Sequence, residues 1–205
     1  LAQPVDAAAF DVDRDGDLDV FGLSVGDETL RWYENTAGNG SAWSAHVISA
    51  ATSYANVVAI ADVDGDGDVD AASYGSNQLL AWHENTAGNG SAWSSATIST
   101  ESSQGRALLF TDFDLDGDPD LIVSRNVRTG ERAAEPSEIY RNDGGRLVAW
   151  ITLDTRRGGR AVRTLDVDGD GWRDIVLAED RWSGGSSAVF RNRQGEGFDE
   201  LIGDA

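Results

Sequence analysis

The sequence predicts an all-β fold, a β-propeller built of four-stranded blades, and three observations carry that prediction. A nine-residue pattern, D-x-D-x-D-G-x-x-D, recurs four times at spacings of 51, 50 and 54 residues. Between its copies lie short runs of apolar and β-branched residues, each bounded by Gly, Asn or Ser. Helical periodicity is sustained nowhere, and a period of about 50 residues holding four strands is the signature of propeller blades.

The repeats run over residues 1–50, 51–100, 101–154 and 155–205. In the second, Val57–Ala61 leads into the acidic loop and Val69–Tyr74 leads out of it. Gln78–Glu84 follows a Gly75-Ser76-Asn77 turn, and Ala92–Ser99 closes the unit. The first strand of repeat one begins near Val5 and the last of repeat four is Gly197–Ile202. Residues 1–205 therefore read as four whole units, a single propeller domain or a segment of one. Repeats one and two share the string ENTAGNGSAWS, at Glu34–Ser44 and Glu84–Ser94, as a duplication leaves behind. Asn39-Gly40-Ser41 and Asn89-Gly90-Ser91 match the glycosylation sequon but read as hairpin turns, which Asn-Gly favours.

The loops hold the chemistry. Their acidic residues are Asp11, Asp13, Asp15, Asp17 and Asp19; Asp62, Asp64, Asp66, Asp68 and Asp70; Asp112, Asp114, Asp116, Asp118 and Asp120; and Asp166, Asp168, Asp170 and Asp174. Alternate carboxylates in a tight loop converge on one point, and the glycine at position 6 permits the sharp turn. Left unneutralised they would repel strongly, so a hard cation is implied. Calcium fits best: magnesium demands a stricter octahedron, and zinc or copper sites want the Cys or His that the chain lacks or nearly lacks. Position 7 offers a backbone carbonyl, so Trp172 in the fourth loop is compatible with a ligand there. About four calcium ions are expected, one per repeat.

Composition narrows the partners. The formal charge is −20, with no Cys, Met or Lys, and four calcium ions would bring it to about −12. So acidic a chain, without a basic stripe interleaved with aromatics, is no nucleic-acid binder. No apolar run approaches the length of a membrane span. The absence of Met is as expected for a processed chain or an excised segment. Weak calcium sites without cysteine suit an extracytoplasmic, secreted or cell-surface setting, because cytosolic calcium is too low to fill them.

Trp32 and Trp82 occupy equivalent positions, as do Trp43 and Trp93, and Trp150 corresponds to the latter pair, which predicts packing between blades. Trp172 and Trp182 break the pattern and are candidates for an exposed platform under a sugar ring. Repeats three and four hold 14 of the 16 Arg. Arg125, Arg128, Arg132, Arg156, Arg157, Arg160 and Arg181 fall in segments opposite the acidic hairpins, where they serve either as solvated counter-charges or as a groove for an anionic polysaccharide. Catalysis is poorly supplied. His46 and His83 do not recur in the other repeats, Tyr33 stands in place of His83 in repeat one, and no nucleophile-elbow or zinc-protease motif is present.

The loops, each preceded by an apolar strand (AAAF, VVAIA, LLF, VRTL) and followed by another (DVFGL, DAASY, DLIVS, DIVLA), resemble FG-GAP or VCBS-type repeats over nearly the whole chain. The resemblance implies a calcium-loaded propeller with the metal in the hairpin joining the first two strands of each blade, as in integrin alpha chains and propeller lectins. Such propellers usually have seven or eight blades, so four repeats imply a small closed ring, part of a larger one, or self-association of two copies. The function expected is a non-catalytic binding or adhesion module for carbohydrate or an extracellular protein. A polysaccharide-active enzyme and a purely structural array are the alternatives.

Overall fold

The computed structural model describes residues 4–24, 29–50, 55–75, 79–100, 104–126, 136–153, 161–178 and 187–202. They form sixteen strands in four antiparallel sheets, and within each sheet every strand pairs with its neighbours in the chain. Blade 1 comprises β1 (Pro4–Phe10), β2 (Asp19–Ser24), β3 (Thr29–Glu34) and β4 (Ser44–Ser49). Blade 2 comprises β5 (Ala55–Ala61), β6 (Asp70–Gly75), β7 (Leu80–Glu84) and β8 (Ser94–Ser99). Blade 3 follows as β9 (Gln104–Thr111), β10 (Asp120–Asn126), β11 (Ser137–Asn142) and β12 (Leu147–Leu153). Blade 4 is β13 (Ala161–Leu165), β14 (Asp174–Ala178), β15 (Ala188–Asn192) and β16 (Phe198–Ile202). The fold class is the one the repeat predicts.

Blade 2 shows why the sequence reads as it does. Every residue of β6 is buried, and beyond Asp70 its string AASYG carries no charge, as suits a strand covered on both faces. The last strand, β8, is exposed for most of its length and reads SSATIS. It starts two residues later than the predicted Ala92 because the preceding turn holds on: Asn85 Oδ1 accepts the Gly90 N–H, and the Trp93 indole donates to Gly90 O. In all four blades the pairing of the third and fourth strands shifts register once, at Leu30/Arg31, Leu80/Ala81, Ile139/Tyr140 and Val189/Phe190. Such a bulge bends the outer strand and strengthens its twist.

The chain divides into two compact units, Leu1–Ser102 and Ser103–Ala205. In the first, Val12, Phe21, Leu30, Trp32, Val58 and Ala71 form the core. Blade 1 docks on blade 2 through Trp32, whose indole N–H donates to Gly90 O at 3.2 Å. A Cβ at Gly90 would lie 2.5 Å from the Trp32 ring, so only glycine admits this approach. Trp93 meets Phe21 edge to face at 6.1 Å. Packing between blades thus holds for Trp32 and Trp93 but not for Trp43, which is 46% exposed. In the second unit Phe113, Ile122, Ile139, Ile175, Leu177 and Phe190 form the core, with Trp150 half-buried against it.

Candidate metal centres

Each acidic pattern is the hairpin between the first two strands of its blade, and its ninth residue opens the second strand. That residue, Asp19, Asp70, Asp120 or Asp174, is at most 1% exposed. Its carboxylate accepts two backbone N–H groups at 2.7–3.1 Å. One comes from position 2 of the same loop (Val12, Val63, Phe113, Val167) and the other from an Asn at the end of the third strand (Asn35, Asn85, Asn142, Asn192). The Asn in turn accepts, through Oδ1, an N–H from Gly40, Gly90, Gly145 or Gly195 at 2.9 Å. Asp and Asn together tie the acidic hairpin to the turn before the fourth strand. Sequence reasoning passed over these four asparagines, although each sits at the same place in its repeat.

Within the loops the carboxylates fold the backbone around themselves. Position 1 accepts the N–H of the position-6 glycine, and position 5 that of position 7, in all four copies. Gly16, Gly67, Gly117 and Gly171 have φ of 90–103°, as that turn requires. Position 4 is also left-handed, and there the loops divide: it is Gly65 and Gly169 in the second and fourth, but Arg14 (φ 63°) and Leu115 (φ 59°) in the first and third.

Carboxylate oxygens converge to within 4.8 Å of one another in each loop. The groups are Asp11, Asp13 and Asp15; Asp62, Asp64 and Asp66; Asp112, Asp114 and Asp120; and Asp166, Asp168 and Asp174. Several buried oxygens in these loops have no hydrogen-bond partner: Oδ1 of Asp11, Asp17, Asp68, Asp112 and Asp114. A desolvated, unpartnered carboxylate oxygen is costly unless a cation takes it, so these residues fit a bound metal. The electrostatics agree. Burial, reinforced by neighbouring carboxylates, pushes Asp70 and Asp120 up to about 7 and Asp68 to about 6. Asp13, Asp17, Asp64 and Asp114 are raised for the same reasons. Asp166 is the exception, lowered chiefly by the Gly171 N–H and further by those of Gly169 and Asp170.

The position-7 side chain also touches the turn before the fourth strand. A Cβ at Gly38 or Gly88 would lie 3.0 Å from Asp17 or Asp68, and Asp118 Oδ2 accepts the Gly144 N–H. Trp172 keeps this contact by packing on Gly195, with a ring carbon 3.1 Å from a Cβ built there, and is half-buried rather than a bare platform. Asp116 serves as the position-5 acceptor of the third loop.

Of the predicted ligand-face residues, Arg128, Arg132, Arg156, Arg157, Arg160, Arg181 and Trp182 lie outside the described residues. Arg125 does not belong to an exposed groove. It is 2% exposed, and its guanidinium donates to Glu138 at 2.6 Å, while Tyr140 O–H donates to the same carboxylate oxygen. Its charge is spent inside blade 3, because a buried guanidinium without an acid would be prohibitive. The nearest approach to a catalytic pair is His83, bonded to Ser73 Oγ at 2.9 Å and Ser95 Oγ at 2.8 Å. Burial pushes this imidazole down to about 4, which leaves it neutral and a poor base near pH 7.

The model of the FG-GAP-like repeat matches residues 11–73 and 62–123, in register with the hairpins described above. No curated protein sequence matches the chain significantly. Among the described residues no helix is long and apolar enough to cross a membrane. Two overlapping matches spanning residues 11–123, each beginning at the first aspartate of a hairpin, place the chain in the FG-GAP repeat family.

Proposed function

We propose that the chain is a calcium-loaded, extracytoplasmic, non-catalytic binding module whose ligand is carbohydrate. The observation that carries the metal is the set of converging aspartates with buried oxygens that no protein group satisfies. Only oxygen ligands are offered, which favours calcium over softer metals. Positions 1, 3 and 5 would hold the ion in blades 1 and 2, and positions 1, 3 and 9 in blades 3 and 4. At 100 times its dissociation constant an ion adds about 2.7 kcal/mol per site, so four would rival the stability of a typical domain. FG-GAP repeats are typical of extracellular proteins, where millimolar calcium fills weak sites.

Carbohydrate is favoured by the concentration of 14 of 16 Arg in the second half of an otherwise acidic chain, which suits carboxylated or sulfated sugars. A glycan array in calcium, with a chelated control, tests the reading. Retention of a defined acidic glycan only in calcium is the expected result, and silence across the array would move the ligand to protein or to a second copy. Incubation with polysaccharides should leave ultraviolet absorbance and reducing ends unchanged; a rise in either would make the module an enzyme.

A further inference from the structure

Blade 4 differs from the others at one corner, where its acidic hairpin meets the turn between β15 and β16. Around the clamp asparagine the preceding residue is Glu34, Glu84, Arg141 and Arg191 in blades 1 to 4, and the following residue is Thr36, Thr86, Asp143 and Arg193. On the hairpin, position 7 changes from Asp17, Asp68 and Asp118 to Trp172, and position 8 from Leu18, Val69 and Pro119 to Arg173. Relative to blades 1 and 2 this corner has thus lost two acids and gained three bases. A cleft of about 290 Å³ opens there, lined by Asp170, Arg191, Asn192, Arg193 and Gln194.

The guanidinium groups are placed but not used up. Arg191 and Arg193 share a single carboxylate, Asp199, at 3.4 and 3.5 Å, and all three side chains are about half exposed. A Cβ at Gly197 would lie 2.8 Å from Arg193 Nη2, so glycine there makes room for this arginine. Gln194 sits at the tip with φ 54°, a left-handed conformation rare outside glycine. Asp170 supplies the opposing charge on the cleft wall. A cation held by Asp166, Asp168 and Asp174 in the same loop would offset part of that charge, which leaves two guanidinium groups facing Asp199 as their ion-pair partner.

We propose that this cleft binds the anionic group of an acidic saccharide, the carboxylate of a hexuronate or a sulfate ester, clamped by Arg191 and Arg193 and favoured by calcium in the adjacent loop. The inference rests on the reading of the chain as a calcium-loaded glycan-binding module and assigns that module a site. Arginine forks suit planar carboxylates and sulfate oxygens.

The test is calorimetric titration of the whole chain with a glucuronate disaccharide, a 6-sulfated disaccharide and their neutral parent, in calcium and in chelator. The acidic sugar bound tells carboxylate from sulfate. Arg191→Gln with Arg193→Gln should weaken acidic-sugar binding at least about tenfold. Arg146→Gln, an exposed arginine in the equivalent turn of blade 3, should leave it unchanged. Melting temperatures in calcium should match for all three proteins. By linkage the bound sugar should also raise calcium affinity by the factor by which calcium raises sugar affinity. Full acidic-sugar binding by the double variant overturns this site and leaves the glycan-binding reading standing. Binding of the neutral sugar alone overturns the anionic site, and a wild-type protein that binds no sugar overturns both.

Discussion

The first and third hairpins carry the same pattern as the second and fourth yet finish their hydrogen bonding differently. Where position 4 is glycine, its N–H turns onto the position-1 carboxylate: Gly65 donates to Asp62 Oδ1 at 2.9 Å and Gly169 to Asp166 Oδ1 at 2.7 Å. Where position 4 is Arg14 or Leu115, the corresponding oxygens, Asp11 Oδ1 and Asp112 Oδ1, are buried without a partner. A side chain at position 4 thus accompanies a loop that relies on a cation, while a glycine accompanies one that partly staples itself. The clamp at position 9 is common to all four, and in blades 3 and 4 the same aspartate also joins the group of converging carboxylates.

The largest effect should come from breaking what the hairpins share. Asp120→Ala and Asp174→Ala each remove two charge-assisted hydrogen bonds in a buried setting, at a cost of about 3 kcal/mol. Urea denaturation should give this loss in chelator for both, and a larger one in calcium, where the site's contribution of about 2.7 kcal/mol is forfeited as well. A loss confined to calcium would recast these residues as metal ligands only.

Nearly as large is a contrast between blades 1 and 2. Blade 1 sets Gly22 against Tyr33, a diagonal neighbour whose ring would lie 3.1 Å from a Cβ at Gly22, where blade 2 has the bonded Ser73 and His83. With His83 lowered from 6.5 to about 4, the unfolded chain binds the extra proton first as pH falls. Its neutral state therefore contributes fully above pH 6.5, and about 3 kcal/mol is lost between pH 6.5 and 4. Converting the pair to its blade 1 form, Ser73→Gly with His83→Tyr, should remove this component from the stability profile. An unaltered profile would show that His83 is not its source.

The loops themselves should separate by sign. In chelator Asp112→Asn removes a charge whose Oδ1 has no partner and should be neutral or stabilising, whereas Asp166→Asn leaves one acceptor oxygen for three N–H groups and should cost about 1–2 kcal/mol. In saturating calcium each should forfeit its site's contribution of about 2.7 kcal/mol. Thermal melts of both variants in the two media test this, and equal behaviour in chelator would erase the distinction.

The smallest effect sharpens the same point. Leu115 is 52% exposed and holds φ 59°, so Leu115→Gly relieves left-handed strain without sacrificing buried surface. It should stabilise the calcium-free chain by about 0.5–1 kcal/mol and narrow the gap between calcium and chelator melts.

Blade number, strand order and the hairpin sites were all legible in the chain, because each is encoded locally and repeated. Alternating aspartates around a glycine fold the loop backbone onto their own carboxylates, and short runs between turn residues can do little but form a meander. Partnership across the fold was not local. Asp174 and Asn192 recognise each other from different strands, so nothing in the nine-residue pattern marks the ninth position as a clamp rather than one ligand among equals. In the sequence Arg125 looks like the other arginines of its segment, but Glu138 and Tyr140 on the neighbouring strand engage it. Trp43 and Trp93 share a string of sequence, yet one is half exposed and the other packs on Phe21, because burial depends on which neighbouring blade lies against a side chain. Charge, turn and periodicity act over a few residues and can be read in order; desolvation depends on everything that surrounds a group, which only the folded chain supplies.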